Sequence, residues 1–339
     1  MIRKFGAAGL ALLAGAAMLP AFAQEGAGMG GGARPELDPM RRVPALRAEA
    51  PAPEDGRVFG GREADKGEWP FQVALLTAEN LDESPQSQPN AQFCGGSLIA
   101  PQWVLTAAHC LSGGGVAADP ASITVLTGAT DLSEGTRHKV AEVIVHEGYS
   151  EMTLDNDIGL LKLVEPSDAP TIPVEFGRAP DQGKATVTGW GRMEDGTFPN
   201  ALMEAELELA PNAACNDGIK QIYARDLGVF LRDLAVRMRY SERGIEAASQ
   251  AIAADMSDPL TDNMVCAGTQ TGARDACNGD SGGPLFTVGE DGKVKAQVGV
   301  VSWGEGPFDA EAACGHENAY GVYTRISNYA DWIKGKTGL

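Results

Sequence analysis

The chain has 339 residues with 43% hydrophobic content, enough for one large folded body or two small ones, so disorder is excluded as the default state. Its formal net charge of -19 makes the surface strongly acidic and excludes nucleic acid as an expected partner. The cysteines and histidines form neither a C-x-x-C nor an H-E-x-x-H pattern, so no zinc site is expected.

Residues 1–23 carry Arg3 and Lys4, an apolar run over residues 10–19 and then Ala21-Phe22-Ala23, the order of a cleavable secretory signal cut after Ala23. The run is too short to span a bilayer, so no membrane span is expected once the signal is removed. The expected location is secreted or periplasmic. Export places the cysteines in an oxidising compartment, where an even count reads as disulfides with every pairing still open. Residues 24–57 are rich in Gly, Pro, Ala and Arg, a composition that buries little apolar surface, and read as a flexible propeptide ending at Arg57.

From Val58 the texture changes. Short apolar or alternating runs, among them Phe71-Gln72-Val73-Ala74-Leu75-Leu76, Ile123-Thr124-Val125-Leu126 and Val140-Ala141-Glu142-Val143-Ile144-Val145, are separated by Gly, Pro, Asn and Asp. That spacing predicts an all-β barrel or sandwich. Between Cys215 and Cys266 the pattern turns helical, with apolar residues at Ile219, Ile222, Tyr223, Leu227, Phe230, Leu231, Leu234 and Met238, and a weaker run over residues 245–256. This predicts a helical insertion over about residues 217–256. Residues 328–334 predict a short closing helix with Asn328 as its N-cap.

The strongest chemical signal is Gly279-Asp280-Ser281-Gly282-Gly283-Pro284, a serine set among glycines that let a backbone come close to a carbonyl. It also satisfies G-x-S-x-G, the nucleophile elbow of α/β-hydrolases. A serine hydroxyl needs a base, and the base needs a group to hold its tautomer. Thr106-Ala107-Ala108-His109-Cys110 and Asp155-Asn156-Asp157-Ile158-Gly159 supply both. The order His, Asp, Ser argues against the α/β-hydrolase alternative, which runs Ser, Asp, His, and no strand-then-long-helix alternation surrounds Ser281.

With Val58-Phe59-Gly60-Gly61, Cys94-Gly95-Gly96-Ser97, Gly189-Trp190-Gly191, Ser302-Trp303-Gly304 and Gly321-Val322-Tyr323-Thr324 in the same order, residues 58–339 resemble the chymotrypsin family of serine proteases, in its trypsin-like branch and as a secreted bacterial-type member. The resemblance implies a double β-barrel carrying the helical insertion and the short C-terminal helix. It implies a triad of His109, Asp157 and Ser281, and an oxyanion hole from the N–H groups of Gly279 and Ser281. Asp275 would lie at the floor of the primary pocket and favour Arg or Lys before the scissile bond, with Ser302, Trp303, Gly304 and Gly321 as further substrate-binding positions. Asp280 would pair with the amine of Val58 once the chain is cut after Arg57, and Arg57 itself suits a pocket holding Asp275. The pairs Cys94 with Cys110, Cys215 with Cys266 and Cys277 with Cys314 are implied in the same way.

The expected partners are protein or peptide substrates with Arg or Lys and a protein inhibitor, for a monomer that needs no cofactor or metal. The acid-rich calcium loop of animal relatives is not recognisable around Gly128-Ala129-Thr130-Asp131. Two departures stand out: the long Cys215 to Cys266 segment, read as a surface decoration, a lid or an exosite, and the extended stretch between Gly304 and Cys314 at the pocket rim.

Overall fold

The computed structural model describes residues 38–51, 61–178, 180–269, 271–272, 274–308, 314–316, 318 and 320–339. The expected signal, Arg57 and Val58 lie outside these residues. The N-terminal half holds α1 (Pro39–Glu49), β1 (Arg62–Glu63), β2 (Gln72–Thr77), α2 (Gln88–Ala91), β3 (Gln92–Ala100), β4 (Trp103–Thr106), β5 (Ser112–Gly113), β6 (Val116–Ala117), β7 (Ile123–Thr127), β8 (Thr136–Val145) and β9 (Gly159–Leu163). The second half holds β10 (Gly183–Gly189), β11 (Met203–Ala210), α3 (Asn212–Met238), α4 (Glu242–Ala254), β12 (Met264–Gly268), β13 (Pro284–Val288), β14 (Val294–Gly304), β15 (Gly321–Arg325) and α5 (Ala330–Thr337).

Strands β2-β3-β4-β9-β8-β7 close into one barrel. A second closes in the order β11-β10-β13-β14-β15-β12 through the β11–β12 pairing, with β1 added at β11. All of these pairings are antiparallel, so every strand can alternate sides. Strand β11 shows the alternation cleanly: Met203, Ala205, Leu207 and Leu209 are buried while Glu206 and Glu208 face water. Val73, Leu75, Phe93, Leu105, Val125 and Leu160 belong to the first core; Val187, Leu207, Val265, Leu285, Val298 and Tyr323 build the second.

The two barrels are joined by packed rings and by buried polar bonds. Phe286 of β13 lies 4.9 Å from Trp69 and 5.3 Å from Phe71 between ring centroids. Ser97 Oγ donates to Gln297 Oε1 at 2.6 Å, and Thr188 Oγ1 to Gln72 Oε1 at 2.7 Å. Disulfides join Cys94 to Cys110, Cys215 to Cys266 and Cys277 to Cys314.

Three local expectations need correction. Part of the segment read as flexible is helix α1: Asp38 caps it by accepting from Met40 N at 3.0 Å, and Pro39 sits at the first helical position, where a missing N–H costs nothing. Val43, Pro44 and Arg47 form its buried face, so composition understated what this stretch can pack. Asn328 does not cap α5. A tight helical turn over Ile326–Tyr329 precedes that helix, and the Asn328 amide donates instead to Asp262 O and Asn263 Oδ1. The insertion has the two helices that its two periodic runs predict, but it begins earlier, at Asn212. Most buried residues of α3, Ile219, Ile222 and Ala224 among them, lie in its first half, and α4 buries Ile245, Ser249 and Ala253, while Phe230, Leu234 and Met238 stay exposed.

Candidate active site

The site lies where the two barrels meet. His109 follows β4 on a tight turn and Asp157 precedes β9, and β4 and β9 are hydrogen-bonded neighbours, so barrel closure alone brings base and acid together. His109 Nδ1 lies 2.7 Å from Asp157 Oδ2, and the His109 backbone N–H donates to Asp157 Oδ1 at 2.9 Å. With Asp157 ionised, Nδ1 carries the proton and Nε2, 3.8 Å from the Cys110 sulfur, is left as an acceptor. Asp157 is fully buried. Burial pushes its carboxyl up, but the His109 charge and the bonds from His109 and Ser302 outweigh this, so it titrates below its ordinary range.

The second barrel completes the grip on Asp157. Ser302 Oγ donates to Oδ2 at 2.5 Å, and Thr324 Oγ1 donates to the Asp157 carbonyl at 2.6 Å. Ser302 was placed by sequence among the substrate-binding residues; its hydroxyl turns to the carboxylate. Asp155, two residues before, accepts from Thr261 Oγ1 at 2.7 Å and Asn263 Nδ2 at 3.1 Å, and Tyr329 OH donates to Asn156 Oδ1 at 3.1 Å. Asn156 takes a left-handed φ of 56°. Sequence reading passed over these loop bonds, because their partners lie about a hundred residues away or more.

Ser281 enters from the second barrel on the turn before β13. Its carbonyl accepts from Gly95 N at 2.7 Å, which ties the turn to β3, and the Cys110 sulfur beside His109 lies 3.5 Å from the same oxygen. No hydrogen bond joins Ser281 Oγ to His109 Nε2 in this structure, a link that often tightens only when substrate binds. Gly282, at φ 82°, leaves no room for a side chain: a Cβ there would sit 2.1 Å from Thr106 Oγ1 and 2.6 Å from Gly95 O, so those groups would have to move. Gly279 has φ 101°. Backbone N–H groups of Asp280, Gly282 and Gly283 donate to Cys277, Val301 and Asp280 carbonyls, whereas those of Gly279 and Ser281 donate to no described group. Cys94, His109 and Cys110 cluster within 4.8 Å, but both sulfurs are bound in a disulfide and cannot serve as thiolate ligands.

Asp275 is buried, 3% exposed. Its Oδ1 accepts from Ala276 N at 2.8 Å and its Oδ2 from Gly315 N at 3.1 Å. Burial raises its carboxyl to about 7, against the lowering effect of those two bonds. A Cβ on Gly321 would come within 2.6 Å of Asp275 Oδ1, and one on Gly304 would lie 4.0 Å from Gly321, so the two glycines leave the way to the carboxylate open. Trp303 packs against the cluster of Cys215, Ile219 and Tyr320. From α3, Tyr223 OH donates to Glu305 Oε1 at 2.9 Å and Asp226 Oδ2 accepts from Phe308 N at 3.2 Å, so the insertion holds the start of the pocket-rim stretch.

Asp280 is buried between Gly189 and Gly191, accepting from Gly191 N at 2.7 Å and Cys277 N at 2.9 Å. A Cβ on either glycine would fall inside its carboxylate, so both must be glycine. Burial holds Asp280 at about 6.

A model of the Trypsin family matches residues 58–333. The chain belongs to the Trypsin family. It therefore carries a serine endopeptidase domain on a double β-barrel. Similar proteins include mouse (Mus musculus) Transmembrane protease serine 11G, 33% identical over 85% of this chain and 57% of its own length. The mite protein Trypsin Blo t 3 of Blomia tropicalis is 32% identical over 83% of this chain and 86% of its own length. The chain spans little more than half the length of the mouse relative. Among the described residues no helix is long and apolar enough to cross a membrane.

Proposed function

We propose that this family member is a secreted zymogen whose cut form cleaves peptide bonds after Arg or Lys through an acyl-enzyme on Ser281. The observation that carries the reading is the fully buried Asp157 carboxylate 2.7 Å from His109 Nδ1, with Ser302 on the same oxygen. That arrangement fixes the imidazole with Nε2 free, the form a general base requires. Ser281 Oγ attacks the scissile carbonyl carbon as His109 Nε2 takes the hydroxyl proton. The developing oxyanion accepts from the N–H groups of Gly279 and Ser281, where loss of one donor typically costs about 3 to 4 kcal/mol. His109 returns the proton to the leaving amine, and a water activated by the same imidazole hydrolyses the ester.

The preference for Arg or Lys is supported by the buried Asp275 carboxylate beside Gly321, with Gly304 next to that glycine. An entering guanidinium would replace two backbone N–H donors' partial charge with a full one and draw Asp275 into its ionised form. The zymogen reading is supported by Asp280, whose buried carboxylate suits the Val58 amine freed by a cut after Arg57; the cation would restore full ionisation and order the turn over residues 277–281. The signal over residues 1–23 supports export, and the contacts from α3 to Glu305 and Phe308 support a part for the insertion in substrate range.

A fluorophosphonate applied to the cut protein tests the core of this reading. Label on Ser281, lost in Ser281→Ala, is expected, and cleavage of a peptide library should fall after Arg and Lys. An unlabelled wild-type protein would mark an inactive relative and overturn the proposal.

A further inference from the structure

Helix α1 bears on the turn that forms the oxyanion hole. Arg47, only 9% exposed, is received by acceptors of the protease body: its Nη2 donates to Gln92 Oε1 at 2.9 Å and Trp190 O at 3.1 Å, and its Nη1 to Pro199 O at 3.1 Å. The guanidinium lies 4.9 Å from the centroid of the Phe198 ring. Gln92 passes the contact on, since its Nε2 donates to Gly279 O at 2.8 Å. Trp190 is the residue between the two glycines that clasp Asp280. Two further side chains of α1 reach the same turn: Arg42 Nη2 donates to Asn278 Oδ1 at 3.2 Å, and Val43 Cγ1 stands 3.5 Å from where a Gly279 Cβ would be.

A guanidinium is planar and keeps its charge when buried, so this fork fixes Gln92 in one orientation. Fixing Gln92 fixes the peptide after Gly279. The Arg47 charge also faces the buried Asp280 carboxylate, which has no other described cation acting on it. We propose that Arg47 is a positioning residue: through Gln92 and Trp190 it keeps the oxyanion turn close to working shape while the chain is uncut, so the precursor acylates at Ser281 at a basal rate that the Val58 amine raises on cutting. This rests on Ser281 being the nucleophile and Arg57 the activation site. No cysteine lies in residues 24–57, so after the cut α1 stays only through non-covalent contacts, and the Val58 amine can take over the charge on Asp280.

The test uses the full chain made uncleavable by Arg57→Gln, with activity normalised to active sites titrated by a fluorophosphonate. This chain is expected to label at Ser281 and to turn over a small ester. Adding Arg47→Met should lower kcat by roughly 10-fold to 100-fold, with KM changed far less, because the turn is misplaced and the pocket is not. Arg47→Lys should recover part of the loss. Gln92→Glu keeps the acceptor for Arg47 but withdraws the donor to Gly279 O, and should reproduce the loss with α1 still docked; it decides the matter if Arg47→Met does not fold. Two results overturn the proposal: a kcat per titrated site unchanged in Arg47→Met or Gln92→Glu, even with lowered melting temperature, or an uncut chain that fails to label while the cut wild type labels. If the cut wild type does not label either, the catalytic reading of Ser281 falls instead.

Discussion

Affinity for a cationic probe at Asp275 should depend steeply on pH. Burial holds this carboxyl at about 7, the bonds from Gly315 and Ala276 drawing it down and the Asp280 charge pushing it up. Only the ionised form pairs with an amidinium such as benzamidine, so the proton competes with the ligand. The apparent dissociation constant then carries a factor of one plus the ratio of protonated to ionised carboxyl, about 100 at about pH 5 and close to one at about pH 8. Benzamidine should therefore bind the cut protein about 90-fold more weakly at the lower pH. Calorimetry in two buffers of different ionisation enthalpy should show a proton released on binding near pH 6 and none near pH 8. Asp275→Asn should bind weakly at every pH. Wild-type affinity that stays flat, or falls as pH rises, would refute the argument, because it would mean that Asp275 is ionised throughout and burial does not control it.

The same shift has a cost in stability. The unfolded carboxyl ionises near 3.8 and the folded one near 7, so between those values the folded state binds more protons and loses stability as pH rises. Asp275→Asn should thus melt above wild type at neutral pH, with the gap closing near pH 4 in a calorimetric series. Gly282→Ala places a Cβ against Thr106 Oγ1 and Gly95 O at a positive φ, and should lower kcat by about 100-fold or more while costing about 1 to 3 kcal/mol in denaturant unfolding. Ser302→Ala removes one donor from the buried Asp157 and leaves both His109 contacts, so kcat for an ester should fall by about 10-fold with KM little changed. Replacing Cys215 and Cys266 together by serine frees a loop with a sequence separation of 51, and urea titration should show a loss of about 4 kcal/mol.

The fold and the chemistry were legible to different depths. Alternation along β11 is written in the residues themselves, because a half-buried strand must alternate to bury one face. The helical insertion was legible for the same reason, at period 3.6, although periodicity could not say that Phe230 and Met238 would stay in water: it reports which residues share a face and not what covers that face. The glycines around Ser281 and Asp280 were readable as motif, and the structure supplies their reason, a backbone or a carboxylate standing where a Cβ would go.

What composition hid was α1. A stretch with prolines at 39, 44 and 51 reads as a chain that cannot pack, yet Pro39 begins the helix and Pro44 lies on its buried face beside Val43 and Arg47. The signal for docking was not local. It lay in Gln92, which looks from sequence like an unremarked polar residue before Phe93-Cys94, and in carbonyls of Trp190 and Pro199 that no side-chain reading counts as acceptors. A buried arginine is tolerated only where such acceptors are already in place, and three of them converge from separate parts of the chain. The seat for Arg47 is thus a property of the folded body, shared with the Gln92 amide that fixes Gly279. The same turn is held besides through Asp280, which accepts from Gly191 N and Cys277 N, and through Asn278, which accepts from Arg42.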